Sequence, residues 1–220
     1  MKHSFFFLFL SFYSFACFSQ AQFKLSDKPF SHSLPIDKSL LAHAEKQFLS
    51  FRLTKEEQEF LYLTNYVRKH PSVFSRECII PFLKTFPEAN GKDATSLIND
   101  LLSAESLPIL SVNGILNDVA IEHATDLANN SDQISHIGTD GRDYSARIAF
   151  SNYKKCASEN IYTGKNDPLL SIIMLLLDIG YATKGHRKNI LNPNFLEMGI
   201  SIKQHRSKQR VVLVQEFGCG

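Results

Sequence analysis

The sequence predicts an α+β domain in which helices pack against a small sheet. Three stretches carry that expectation. "LNDVAIEHATDLANN" repeats its apolar residues at helical spacing, with Leu116, Val119, Ala120, His123, Ala124 and Leu127 in one stripe. "LLSIIMLLLD" is apolar on every side yet too short to cross a membrane, the pattern of a helix buried in a core. "MGISI" and "RVVLVQEFG" flank the basic connection "KQHRSKQ" and read as a β-hairpin.

Bulk properties agree with a globular chain. Of 220 residues, 44% are hydrophobic and 21% charged, enough for one domain with its own core. A formal net charge of +2 gives no reason to expect nucleic acid as a partner. Residues 1–21 form a unit of their own. Lys2 precedes a phenylalanine-rich run from Phe5 to Phe18, and Ser19-Gln20-Ala21 offers a small-x-small cleavage site. That layout is a secretory signal peptide, so the expected location is secreted or cell envelope, with no transmembrane domain in the mature chain. Cys17 as a lipoprotein acceptor is the second reading, and an uncleaved anchor the third. After cleavage Cys78, Cys156 and Cys219 remain, an odd set that allows at most one intramolecular disulfide and does not say which.

Residues 22–53 read as a lead-in. "SDKPFSHSLPIDKS" has linker composition, and "LLAHAEKQFLSF" has room for a short helix. The domain proper is expected over 54–220. Thr54 and Glu57 have capping-box spacing at the start of a helix carrying Phe60, Leu63 and Val67, which Pro71 ends. "TSLINDLLSAES" is amphipathic, with Leu97, Ile98, Leu101 and Leu102 on one side. His123, on the apolar stripe, reads as a core histidine with one hydrogen-bond partner. Thr139-Asp140-Gly141 marks a turn, Tyr144 to Phe150 one or two helical turns, and "CASENIYTG" an extended segment. Asp167-Pro168 caps the buried helix and Gly180 suits its stop. The basic residues of the hairpin loop read as a solvated face. Gln215 and Glu216 alternate on the last strand, one expected toward a cleft and one toward solvent.

Polar residues at element ends are the candidates for chemistry. His136 stands before the glycine turn, Glu159 inside an extended segment, Asp178 at the end of the buried helix, and His186 in "GHRKNI". Imidazoles bind zinc or a similar divalent ion, and carboxylates orient them or take a proton. Their spacing matches no local metal motif. Asn189 reads as structural, bonding backbone near Pro193, and Arg187 as a surface or packing residue.

The ordered set "LNDVAIEHATDLA", "SHIGTDG", "SENIYTG", "GHRKNILNPNFLEMGIS" and "VQEFG" resembles the CAP superfamily, also called SCP-like, in its bacterial branch. The resemblance runs from about residue 55 to the C-terminus. It implies a three-layer α-β-α sandwich with a small, mainly antiparallel central sheet. It also implies a cleft built around two histidines and two acids, here His136, Glu159, Asp178 and His186. Asp178 falls where many members have glutamate, and Ser158 replaces a frequent glycine. Three functions follow as expectations. The leading one is a secreted or envelope-associated binding module. Its cleft takes a divalent metal through His136 and His186, and an extracellular or envelope ligand: a small molecule, lipid, glycan or peptide. The second is a metal-dependent hydrolase in which Glu159 or Asp178 activates water. The third is a structural histidine–carboxylate network.

Overall fold

A computed structural model describes residues 25–207 and 209–220. The expected signal peptide, with Cys17, lies outside the described residues, as does Lys208. Among those described, no helix is long and apolar enough to cross a membrane.

The chain opens with helix α1 (Lys38–Phe51), capped by Asp37, whose carboxylate accepts from the backbone N–H of Ser39 and Leu40. The lead-in is less linker-like than its composition suggests. α1 packs on helix α2 (Lys55–Lys69), and Leu34 and Leu40 enter the core. The Thr54–Glu57 capping box starts α2 as expected. A helical run that the sequence pattern did not reveal follows: α3 (Pro71–Phe74), a π-helical stretch (Ser75–Ile79) and α4 (Ile80–Thr85). Helix α5 (Lys92–Ser103) buries Ala94, Leu97 and Leu101, while Leu102 is exposed.

Strand β1 (Ser111–Val112), helix α6 (Gly114–Asn130), helix α7 (Tyr144–Phe150) and strand β2 (Ala157–Gly164) come next. Helix α8 (Pro168–Leu177), helix α9 (Gly185–Ile190) and the hairpin of β3 (Phe195–Gln204) and β4 (Val211–Cys219) complete the fold. The sheet order is β1-β3-β4-β2. Only β1–β3 is parallel, so the sheet is mainly antiparallel, with β2 at one edge.

α6 covers one face of the sheet, where Val212 and Val214 meet Ala120, Ala124, Leu127 and Ala128. Gly199 on β3 permits that approach, because a Cβ there would collide with the backbone of Leu116 and Asn117. α2 and α8 cover the other face. The result is helix, sheet and helix in three layers. β4 is central and covered on both faces, so Gln215 and Glu216 are both fully buried. The expectation that one of them faces solvent is thus corrected: they alternate, but toward two covered faces.

A disulfide joins Cys156 and Cys219, and Cys78 is a free buried thiol pushed up to about 12 by its burial. The bridge ties the start of β2 to the end of β4, close to where Glu159 stands opposite Glu216 in register.

Candidate functional site

The four side chains read from the sequence form two histidine–carboxylate pairs. Nδ1 of His136 lies 2.6 Å from Oε1 of Glu159. Nδ1 of His186 lies 2.8 Å from Oδ1 of Asp178. An ionised carboxylate only accepts, so each Nδ1 carries a proton and donates it. In the neutral ring that leaves the lone pair on Nε2. Neither Nε2 has a hydrogen-bond partner among the described residues. The His136 side chain is 54% exposed and that of His186 18%, against 1% for Glu159 and 0% for Asp178.

Local structure explains each position. Asp178 is the left-handed residue that ends α8, at φ 50°. Gly180, the expected stop, sits in the turn beyond, at φ 81°. Aspartate tolerates this conformation better than most residues. The turn brings α9 back so that the His186 backbone N–H donates to Asp178 Oδ2 at 3.0 Å. The next residue, Arg187, is a fully buried packing residue and not a surface one. Its guanidinium donates to the terminal carbonyls of α8, on Leu176 and Leu177, and pairs with Asp100 of α5 at 2.8 Å. Tyr181 packs edge-on against the His186 ring.

His136 stands on a loop that is fixed from beneath. Arg147 donates to the His136 carbonyl at 2.9 Å and, through Nη2, to Glu159 Oε2 at 2.6 Å. His123 has the single partner expected of a core histidine, donating from Nε2 to the Ser135 carbonyl at 3.1 Å. It also lies 3.8 Å from Glu159 Oε2, which places it beneath the site.

Strand β2 touches both pairs: Glu159 is one of its residues, and the next residue reaches α9. The Asn160 amide donates to the His186 carbonyl at 3.2 Å. The Asn189 amide donates to Asn160 Oδ1 at 2.8 Å and to the Glu159 carbonyl at 3.3 Å. Asn189 is therefore structural, but toward β2 and not toward Pro193. Consecutive residues of one strand thus hold His136 on one side and α9 on the other. Among the described residues, no three His, Cys, Asp or Glu side chains are grouped tightly enough to hold a metal ion. A cavity of about 350 Å³, lined among others by Phe30, Phe82, Phe86, Tyr162 and Met174, lies under the lead-in and shares no residue with the two pairs.

The electrostatics single out Glu159. Burial acts to raise its pKa, but the hydrogen bond from His136 and the charges of His123 and Arg147 outweigh it and hold the carboxyl below the usual range. Its neighbour Glu216 goes the other way: burial, then the charge of Glu159, push its pKa well above the ordinary value. Arg147, Asn160 and Tyr181 belong to this site and escaped the sequence reading, while Glu216 was read only as one of two alternatives for the cleft-facing residue of the last strand.

The sequence profile of the cysteine-rich secretory protein family, CAP, matches residues 61–217. The chain belongs to this family. No curated protein matches this CAP chain. Among solved structures, an extracellular SCP-domain protein of Bacillus anthracis is similar at 20% identity and a TM-score of 0.49, covering 80% of this chain. The CAP chain spans only 50% of that protein's length. An outer surface protein of Borrelia burgdorferi is similar at 20% identity over 51% of this chain and 79% of its own, with a TM-score of 0.42. NaASP2, in a structure with Zn2+, is similar at 12% identity over 76% of this chain and 80% of its own, with a TM-score of 0.43.

Proposed function

We propose that this CAP domain is a secreted or envelope-associated binding module that captures a divalent cation, zinc foremost, through Nε2 of His136 and His186. The cleft around them then receives an extracellular or envelope ligand: a small molecule, a lipid, a glycan or a peptide. One observation carries this reading: each histidine is backed through Nδ1 by a buried carboxylate. A carboxylate behind an imidazole fixes the ring's aim and raises its basicity as a metal ligand. The donor set fits an exchangeable ion. Imidazole suits zinc, and two protein ligands leave positions for water or a ligand atom, whereas structural zinc fills all four.

The same contacts favour a module over a hydrolase. The oxygens of Glu159 are engaged by His136 and Arg147, and those of Asp178 by the ring and backbone of His186. Both carboxylates are buried, and their oxygens serve to orient the histidines. The secreted or envelope location rests on residues 1–21.

Zinc titration with thermal unfolding tests the reading. A hundredfold excess over the dissociation constant stabilises the native state by about 2.7 kcal/mol. The rise in melting temperature is expected in wild type and absent in the His136→Ala/His186→Ala double variant. No rise in wild type, or an equal rise in the variant, removes the metal from the proposal.

A further inference from the structure

Glu216 has no place in the reading above, yet it is the most deeply buried acid near the site. It lies on the α6 face of β4, two and four residues beyond Val214 and Val212, with Glu159 opposite it on β2 and Gly199 opposite it on β3. Its one side-chain neighbour of hydrogen-bonding kind among the described residues is the Glu159 carboxylate opposite, and by strict geometry both of its carboxyl oxygens are unpaired. The groups around it are also short of partners. The Tyr144 hydroxyl and Arg147 Nε from α7, and His123 Nδ1 from α6, are buried and unpaired. Each of these residues lies within electrostatic reach of Glu159, as Glu216 does. Of the eight buried unpaired side-chain atoms among the described residues, five belong to this cluster: both Glu216 oxygens, Tyr144 Oη, Arg147 Nε and His123 Nδ1.

The set is chemically complementary. Tyr144 Oη and Arg147 Nε are donors. His123 donates from Nε2 to Ser135, so in its neutral form Nδ1 is an acceptor. Burial, the largest influence on His123, favours that neutral form. Buried donors and acceptors left unpaired cost about 1–3 kcal/mol each, and natural proteins meet that cost with ordered internal water. Arg147 already supplies a buried positive charge beside Glu159, which disfavours a cation as the occupant.

We propose that Glu216, Tyr144, Arg147 and His123 enclose an internal water site behind the His136–Glu159 pair, in which Glu216, buried opposite a second carboxylate, donates a hydrogen bond to the water. The site would set a buried acid behind Glu159, which in turn holds a histidine that faces solvent. It stands without metal capture: zinc binding and the water site can each fail alone.

Two measurements test it. A high-resolution crystal structure of the protein is expected to show ordered water bonded to Tyr144 Oη and a Glu216 oxygen. Absent water, with these groups closing directly on one another, overturns the proposal. The second measurement is denaturant unfolding of wild type and Glu216→Gln across roughly pH 5 to 8. A carboxyl that keeps its proton when folded and releases it on unfolding stabilises the fold fully below the ordinary carboxylate pKa. That stability is lost as pH rises toward the folded value. Relative to Glu216→Gln, the wild-type folding constant should therefore fall by up to about tenfold per pH unit. Parallel pH profiles overturn the proposal. Should Glu216→Gln not fold, the wild-type crystal structure alone decides, and Tyr144→Phe should lose the water bonded to that hydroxyl.

Discussion

His186 sits on a helix and His136 on a loop, and their supports differ accordingly. The His186 half is held by backbone: a left-handed Asp178 turns the chain, the His186 N–H returns to the same carboxylate, and Arg187 clamps the end of α8. The His136 half is held by charge. Arg147 reaches both the His136 carbonyl and Glu159, and the cluster with unpaired groups lies directly below. Both halves use a histidine, a buried acid and a buried arginine, but only Arg147 touches its acid. The lesson is that one half is preorganised by a helix terminus and the other by an ion pair that a disulfide keeps in register.

The strongest way to separate the halves is to remove that disulfide. Closing a loop across 63 residues of sequence separation is worth about 4 kcal/mol by chain entropy. Cys156→Ser with Cys219→Ser should lower the unfolding free energy by roughly that amount in chemical denaturation. Hydrogen exchange should quicken more at the joined ends of β2 and β4 than in α8 and α9. Equal loosening of α8 and α9 would show that the halves form one unit.

Arg187→Met strikes the other half. The substitution keeps much of the volume but leaves the Leu176, Leu177 and Asp93 carbonyls without their donor. A loss of about 3 kcal/mol is expected, since the guanidinium is buried and several bonds vanish together. Zinc-dependent stabilisation should weaken as well, because Asp178 and His186 lose their frame. A loss under about 1 kcal/mol, with zinc response intact, would mean that the Asp178 turn holds itself.

The helices and the hairpin were legible because periodicity and caps are local. The α6 stripe, the Thr54–Glu57 box and the two last strands appear where their residues imply. Residues 71–91 were not legible: Pro71 reads as a break, yet it, Pro81 and Pro87 each sit in the first turn of a short helix, where proline is tolerated. The lead-in hid its packing behind linker composition. For the site, the four polar residues could be named, but which histidine would pair with which acid could not. Burial of Glu216 could not be read, because alternation says which residues share a face and not whether that face is covered. Arg147 was hidden for a similar reason, since one arginine in a short helix does not announce the glutamate it meets across the fold.

The smallest effect bears most directly on the contrast. Without metal, His136→Ala and His186→Ala each remove one donor from a buried carboxylate. The positions differ in what can replace it. His136 is half exposed, so its removal opens Glu159 Oε1 to water, and Arg147 still holds Oε2. His186 is largely enclosed and Asp178 fully so. The Asp178 Oδ1 left behind has no solvent to turn to, and an unsatisfied buried acceptor costs about 1–3 kcal/mol. His186→Ala should therefore destabilise by about 1 kcal/mol more than His136→Ala, measured in metal-free chemical denaturation. Equal losses would mean that water reaches both carboxylates alike and that the helix-borne half is no better enclosed than the loop. A larger loss at His136 would reverse the comparison and make the ion pair with Arg147 the weaker of the two supports.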